Sequence, residues 1–426
     1  MSLDPTPRPA TLRSPLVPPL LVLGVILLLQ FAAQLFQVGL GIATDTPYAP
    51  PYPIARMSLT HSDYRMQRGA NEAYLAGSGD FDAVRQQAQQ RDDWKRKYFY
   101  PPMAYHLLAA LNRLPEMAGH FTWLAATLLV VTLALTLAAR ETLGQPGQAH
   151  RAVLLVTLLC LSQSTPFLFQ IERGNFDWLA LSLCALALVA LGARRPWVGG
   201  FLIGVAAALK VYPLLLLPIL VCVRRWRAPL AALATLAVSV LLFGPRDHLQ
   251  WLRAMTADRA QSFGPHPSNA SIANLLYACG VTDTAALTRV TGIAFLALCA
   301  AFMMVLLWRS RRTPLDVVRV GLFALPFMFL VPAVHWAYTL FILLALVPVL
   351  AALYRDQPAL RFAAVLLAVV IGITQAPITA PRFSPAFLPF VMPLYSAALL
   401  TVVLLSIWLV ARGAADAPRA TPAVSV

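Results

Sequence analysis

Arg194–Arg227, RRPWVGGFLIGVAAALKVYPLLLLPILVCVRRWR, is the stretch whose reading fixes how this chain is threaded. Its two apolar halves, 196–209 and 212–223, are each short for a bilayer crossing at about 1.5 Å per residue. Two arrangements compete. One long helix with Lys210 inside it would put Arg194 and Arg195 on one side and Arg224 and Arg225 on the other. A pair of segments broken at Lys210-Val211-Tyr212-Pro213 returns the chain to the side it left. Proline removes a backbone donor and disfavours helical geometry in the residue before it, so the break is expected here. Such irregular backbone survives at membrane depth where protein or a water-filled cavity surrounds it.

The rest of the chain agrees with a bilayer as its solvent. Of 426 residues, 59% are hydrophobic and 12% charged, against nearly half and about a quarter in a soluble domain. Apolar blocks such as Leu16–Gly41, Trp123–Ala139, Ala228–Gly244 and Leu388–Ala411 approach or exceed the roughly 20 residues that span a hydrocarbon core. The expected fold is all-α: a polytopic helical membrane protein of about 12 transmembrane helices. Residues 1–426 are read as one membrane-embedded domain. Two larger non-cytoplasmic loops are expected, at about 42–117 and 245–287, with disordered tails at about 1–12 and 413–426. The first apolar stretch lacks a convincing small-residue cleavage site and is read as a retained span.

Orientation follows from the arginines. Spans are expected at about 15–41, 118–139, 152–169, 176–193, the 196–223 pair, 228–244 and 289–308, then two through His335 to Arg355, then 361–376 and 388–411. Arg140 and Arg151, Arg194 and Arg195, Arg224, Arg225 and Arg227, and Arg309, Arg311 and Arg312 then fall on one side with both termini. The short turns on the other side hold one cation each: Arg173, Lys210 and Arg382. That is the positive-inside pattern, with both termini cytoplasmic. The net charge of +15, from 33 basic and 18 acidic residues, is thereby an effect of topology and anionic headgroups. No basic stripe interleaved with aromatics runs along one element, which argues against nucleic acid. The five cysteines are scattered, four in apolar blocks, with no metal-ligand spacing or disulfide framework.

This topology gathers the polar outliers on the non-cytoplasmic face. They are His61, Asp63, Tyr64, Arg65 and Arg68; Tyr98-Phe99-Tyr100-Pro101-Pro102; Glu172-Arg173-Gly174-Asn175-Phe176-Asp177; Lys210 and Tyr212; His266 and Asn269; His335; and Arg382. Ionisable groups at a membrane boundary are expensive and mark function unless paired structurally. Each has a plainer alternative. Asp63 can be a solvated loop acid. Glu172, Arg173 and Asp177 can be a helix-start cluster with Asn175 as N-cap. Lys210 can snorkel to the headgroups, and His335 can be an interfacial ring. The Asp80-x-Asp82 pair lies in a Gly- and Ser-rich loop and is a poor metal site, and Asn269-Ala270-Ser271 fits a glycosylation sequon.

Taken in order, these pieces resemble glycosyltransferase family 87, a branch of the C-type glycosyltransferases that contains polyprenyl-phosphate-mannose-dependent mannosyltransferases. The resemblance runs from Asp63-Tyr64 and Asn71–Gly77 through Tyr100-Pro101-Pro102 and Glu172–Asp177. It continues through Leu209–Pro213, Arg224–Arg227, Asn269 with Ser271, and His335. Arg65 departs from it, standing where an apolar residue is more usual.

The resemblance implies a transfer of hexose, most readily mannose, from a polyprenyl-phosphate sugar to a lipid or glycan acceptor on the non-cytoplasmic face of a bacterial inner membrane. It implies Asp63 as the base that takes the acceptor proton, and His335, Lys210, Arg173 and Arg382 as cations for the leaving phosphate. Tyr64, Arg65, Tyr100, Glu172, Asn175, Asp177, Tyr212, His266 and Asn269 are the expected substrate contacts. A lipid-anchored donor needs no nucleotide site, and no Gly-rich phosphate loop is present. Outer-face cations can neutralise the growing phosphate charge without a metal, so no cofactor and no metal are expected. One base with no evident nucleophile favours direct displacement with inversion. The competing class is a lipid-linked-sugar flippase or other transporter, which also uses broken helices and charges at membrane depth.

Overall fold

The computed structural model describes residues 62–76, 100–143, 176–258, 271–330 and 394–416. They form α1 (Ser62–Ala76), α2 (Pro102–Asn112), α3 (Glu116–Leu143), α4 (Asp177–Gly192), α5 (Pro196–Leu209), a 3-10 turn (Tyr212–Leu215) and α6 (Leu216–Cys222). Then follow α7 (Arg227–Phe243), α8 (Pro245–Asp258), α9 (Ile272–Ala278), α10 (Thr284–Ser310), α11 (Val317–Met328) and α12 (Leu394–Ala411). Among the described residues there is no strand, only one isolated bridge between Leu315 and Asp416.

Several boundaries follow directly from local chemistry. Pro102 and Pro196 stand in the first turns of α2 and α5, where a missing amide donor is harmless. Asp283 caps α10 by accepting from the amides of Ala285 at 3.0 Å and Ala286 at 3.3 Å. Asp316 does the same for α11, accepting from Val318 at 2.9 Å and Arg319 at 3.3 Å, and Ser271 accepts from Asn274 to start α9.

The broken reading of the Lys210 region holds. After α5, Lys210 is extended at φ −150°, ψ 138°, and the chain continues as the 3-10 turn and the short α6. Helix α5 packs antiparallel to α4: Gly199 lies against Leu191 at one end, and Lys210 reaches Asp177 at the other. It packs parallel to α7. A Cβ on Gly200 would overlap the Ala228 carbonyl, and one on Gly204 would sit 2.8 Å from the Ala232 carbonyl. Four residues along α5 thus match four along α7, so both helices run the same way. The segment 210–226 must therefore carry the chain back, and Arg194/Arg195 and Arg224/Arg225/Arg227 share one end of the bundle. Glycine at 200 and 204 is what allows the two backbones to touch.

Both arginine turns close in the same way. Arg194 and Arg224 have φ of 58° and 60°, and the next amides, Arg195 and Arg225, bond back to Ala190 at 2.8 Å and Leu220 at 2.9 Å. This left-handed helix ending ordinarily takes glycine. A side chain there costs on the order of 1 kcal/mol.

One buried cluster runs through α4, α5, α6, α10, α11 and α12, including Trp178, Leu188, Ile203, Phe302, Phe323 and Val403. A second, aromatic cluster of Tyr74, Tyr100, Tyr105, Trp123 and Phe176 caps the end where α1 and α2 lie. Large apolar side chains also face outward, among them Leu129 at 71%, Leu241 at 74% and Ile293 at 67% exposure. Among the described residues one helix, Ala285–Ser310, is long and apolar enough by itself to cross a membrane, with mean hydropathy 2.6. Helices α7 and α8 make a second candidate if their 101° bend interrupts one span.

The expected spans at 118–139, 176–193, 228–244, 289–308 and 388–411 each coincide with, or lie largely within, α3, α4, α7, α10 and α12. The expected spans at 15–41, 152–169 and 361–376 lie outside the described residues, as does the return towards Arg355. The long loops are partly helical, holding α1 and α2 in the first and α8 and α9 in the second. Residues 413–416, expected to begin a disordered tail, are built into the fold instead. Asp416 pairs with Arg309 and accepts from Thr313 Oγ1 at 3.0 Å. The Asp316 amide meets the Ala415 carbonyl at 2.8 Å. The Arg309–Asp416 pair and the Arg319 guanidinium, which donates to the Asp416 carbonyl at 3.3 Å, tie the end of α12 to the α10–α11 turn.

Candidate functional site

At the end of the bundle opposite the arginine turns, three separate sequence motifs meet. Helix α4 has 16 residues, so this end lies about 24 Å from Arg194. Asp177 is the first residue of α4, where the helix dipole favours an anion. The N-cap is Phe176, with no side-chain cap bond, so Asp177 itself supplies the anionic start of the helix. Its Oδ1 accepts from the Lys210 ammonium at 3.2 Å and from the Tyr212 hydroxyl at 3.0 Å.

The break after α5 makes this geometry possible. With Lys210 extended, its side chain leaves the helix end towards α4, and its amide still bonds to the Ala206 carbonyl at 2.9 Å. The ammonium also sits 4.5 Å from the ring centroid of Tyr100, a cation–π position. Tyr100 is buried and edges onto Phe176 at 5.0 Å, and Phe176 onto Trp123 at 4.6 Å. The lysine is therefore held between a carboxylate and an aromatic face, rather than extended to the headgroups. Its three donors are not exhausted by one carboxylate oxygen, and the site presents a fixed, partly exposed cation on an aromatic floor.

Beside it, α1 and α2 form a hydrogen-bonded seam. Fully buried Asn71 donates to the Tyr105 carbonyl and accepts from Asn112 Nδ2. Arg68 donates to the Leu114 and Asn112 carbonyls at 2.9 and 3.1 Å, satisfying the C-terminal end of α2. Tyr74 donates to Asp247 Oδ2 at 2.8 Å, joining α1 to α8, and stacks on Tyr105 at 4.9 Å. Burial, then the bond to Asp247, push the Tyr74 phenol well above its ordinary pKa. His106 stacks on Phe243 at 4.8 Å. Burial holds its imidazole below the ordinary value, with Asp247 opposing.

Of the expected site residues, the structure brings together Tyr100, Asp177, Lys210 and Tyr212. Asp63, Tyr64 and Arg65 fall on the first turn of α1, and their side chains lie outside what is described. Glu172, Arg173, Asn175, His266, Asn269, His335 and Arg382 lie outside the described residues. Lys210 differs from the sequence reading in one respect: its first partner is Asp177, so it is an anchored cation. Sequence reasoning missed Tyr74, Tyr105, His106 and Asp247. Tyr105 follows the Tyr100-Pro101-Pro102 motif within the next turn and was the traceable one; nothing in the sequence joins Tyr74 to Asp247.

A helical bundle with apolar side chains facing outward and a charged, aromatic-lined cluster at one end is the build of an integral membrane protein with a polar site at its boundary. The chain belongs to glycosyltransferase family 87, whose sequence model matches residues 98–333. It is 28% identical over 205 residues to a polyprenol-phosphate-mannose-dependent alpha-(1-2)-phosphatidylinositol pentamannoside mannosyltransferase of Mycobacterium tuberculosis, covering 45% of this chain and 46% of that one. It is 29% identical over 154 residues to a polyprenol-phosphate-mannose-dependent alpha-(1-2)-phosphatidylinositol mannoside mannosyltransferase of the same species, covering 34% and 36%. A Mycolicibacterium smegmatis pentamannoside mannosyltransferase matches at 24% over 225 residues, covering 50% and 53%. The chain thus spans about half the length, or less, of these curated relatives. Among solved structures, apo ArnT from Cupriavidus metallidurans aligns with a TM-score of 0.38 at 15% identity, covering 83% of this chain and 72% of that one.

Proposed function

We propose that this protein is a multi-pass inner-membrane glycosyltransferase that moves a hexose, mannose first among them, from a polyprenyl-phosphate donor to a lipid or glycan acceptor. The observation that carries the reading is the convergence of Tyr100, Asp177, Lys210 and Tyr212 at the end of the bundle away from the arginine turns. With the arginines cytoplasmic, that end faces the non-cytoplasmic side, where a lipid-anchored sugar would be presented.

In the reaction, a carboxylate removes the proton of an acceptor hydroxyl. The oxygen then attacks the anomeric carbon, and the bond to the phosphate oxygen breaks. The electron pair leaves with the polyprenyl phosphate, whose charge grows by one. Asp63 is the base in this proposal. Its position at the start of α1, a helix tied to α2 and α8 by Asn71, Arg68 and Tyr74, gives it a rigid support. Lys210, oriented by Asp177, is one cation for the developing phosphate charge; His335, Arg173 and Arg382 are the others. Displacement proceeds with inversion, and neither metal nor cofactor takes part.

The test uses the full chain in lipid nanodiscs with polyprenyl-phosphate mannose carrying a radiolabelled sugar, and membrane lipids as acceptors. Label should pass to a lipid or glycan product, with inverted anomeric configuration and unchanged by chelator. Movement of the intact donor between leaflets without any transfer would overturn the enzyme reading in favour of a transporter.

A further inference from the structure

We propose that the arginine end of the α5–α7 pair is a binding site for the phosphate headgroup of an anionic glycerophospholipid. The site is made of Arg194, Arg195, Arg224, Arg225 and Arg227. Parallel packing of α5 on α7, with Gly200 against Ala228, brings both arginine turns to one crossing. Arg195 and Arg227 lie within about two helical turns of that contact. All five side chains are exposed, and no acidic residue occurs anywhere from 178 to 246. None of the five makes an ion pair with a described residue. Neighbouring arginines at the same end behave differently. Arg309 and Arg319 pair with Asp416 and Asp316, and Arg312 lies 4.4 Å over the Trp308 ring.

Backbone geometry separates this cluster from a turn that happens to be basic. Arg194 and Arg224 occupy left-handed positions that glycine would hold with less strain, so the backbone itself does not call for either side chain. What the arginines supply is charge. The ligand must also be amphipathic, because Trp197, Trp226 and Leu230 stand beside the cluster at 58%, 57% and 59% exposure. An indole beside a guanidinium at the end of an apolar helix matches the boundary of a bilayer. A free phosphate or a nucleic acid would leave that apolar rim uncovered.

The test is the thermal unfolding of the full chain in detergent, titrated with phosphatidylglycerol, phosphatidylcholine or inorganic phosphate. Phosphatidylglycerol should raise the unfolding temperature, and the other two should not. In the doubly substituted Arg194→Gly, Arg224→Gly protein the lipid-free unfolding temperature should hold or rise. The half-maximal phosphatidylglycerol concentration should increase about twenty-fivefold, taking about fivefold per arginine. Arg225→Gln with Arg227→Gln, which leaves the left-handed positions intact, should show the same loss; Arg311→Gln with Arg312→Gln should show little. Equal shifts from phosphatidylglycerol and phosphatidylcholine would overturn the proposal. So would an unchanged titration in both the glycine and the glutamine variants, or a full effect from inorganic phosphate.

Discussion

Lys210 Nζ lies 3.2 Å from Asp177 Oδ1, and this ion pair closes the open end of the α4–α5 hairpin. The two partners are unequally placed: the Asp177 side chain is 6% exposed and that of Lys210 22%. Truncating either partner of a buried pair costs roughly 3–5 kcal/mol, and partial exposure of the lysine moves the figure to the lower end. Lys210→Met should therefore destabilise the protein by about 3 kcal/mol, and Lys210→Met with Asp177→Asn by clearly less than the sum. A double-mutant cycle on unfolding in detergent measures this. Strict additivity would mean that the pair contributes nothing.

The contact of α5 with α7 predicts a contrast between glycines. Gly204→Ala places a methyl 2.8 Å from the Ala232 carbonyl and 2.5 Å from Thr235 Cβ, and overpacking of this kind costs about 1–3 kcal/mol. Gly292, inside α10, has nothing among the described residues within 4 Å of an added Cβ. Gly292→Ala should hold or raise stability by up to about 1 kcal/mol. Unfolding temperatures of the two variants, measured side by side, should move in opposite directions.

A pH dependence is expected from His106, which faces Tyr74, Phe243 and Asp247. Its pKa in the folded protein lies below the ordinary 6.5 because burial opposes the charged ring. The unfolded chain then binds more protons between the two values, so stability rises with pH there. The contribution is complete above about pH 6.5 and is lost as pH falls through the folded value. His106→Gln should flatten the stability–pH curve in that window. A wild-type curve already flat from pH 7 to 5 would contradict the assignment.

Tyr74 and Asp247 join the two long loops through one hydrogen bond. Tyr74→Phe removes it while keeping the stacking on Tyr105, and should cost about 1 kcal/mol, since the Asp247 carboxylate left behind is half-exposed and can turn to water. Hydrogen exchange should show the loss concentrated in α1 and α8. Uniform loosening of the whole chain would mean that the bond does not tie these helices specifically.

What could be read from the sequence was whatever chemistry repeats locally. Proline beside Lys210, apolar runs of spanning length, and arginines at alternate turns gave the break, the helices and the shared arginine end. The expected contacts Tyr100, Asp177, Lys210 and Tyr212 were each visible as boundary outliers. Their mutual arrangement was not, because it depends on α5 lying antiparallel to α4, a packing fact. Glycines 200 and 204 looked like ordinary helix glycines until the parallel α7 was placed against them. The ordered 413–416 turn was misread for the same reason: Asp416 is a tail residue until Arg309 and Thr313 are brought beside it.

The central claim is that Asp63 is the base of a metal-independent transfer from a polyprenyl-phosphate sugar, and Asp63→Asn tests it most directly. The substitution keeps size and most hydrogen bonding but cannot accept the proton. Measured in nanodiscs with polyprenyl-phosphate mannose, turnover should fall on the order of 10²–10⁴-fold, with donor binding retained and no response to chelator in the wild type. Near-normal transfer by Asp63→Asn, with activity abolished instead by Glu172→Gln or Asp177→Asn, would contradict the account and place the base at the start of α4.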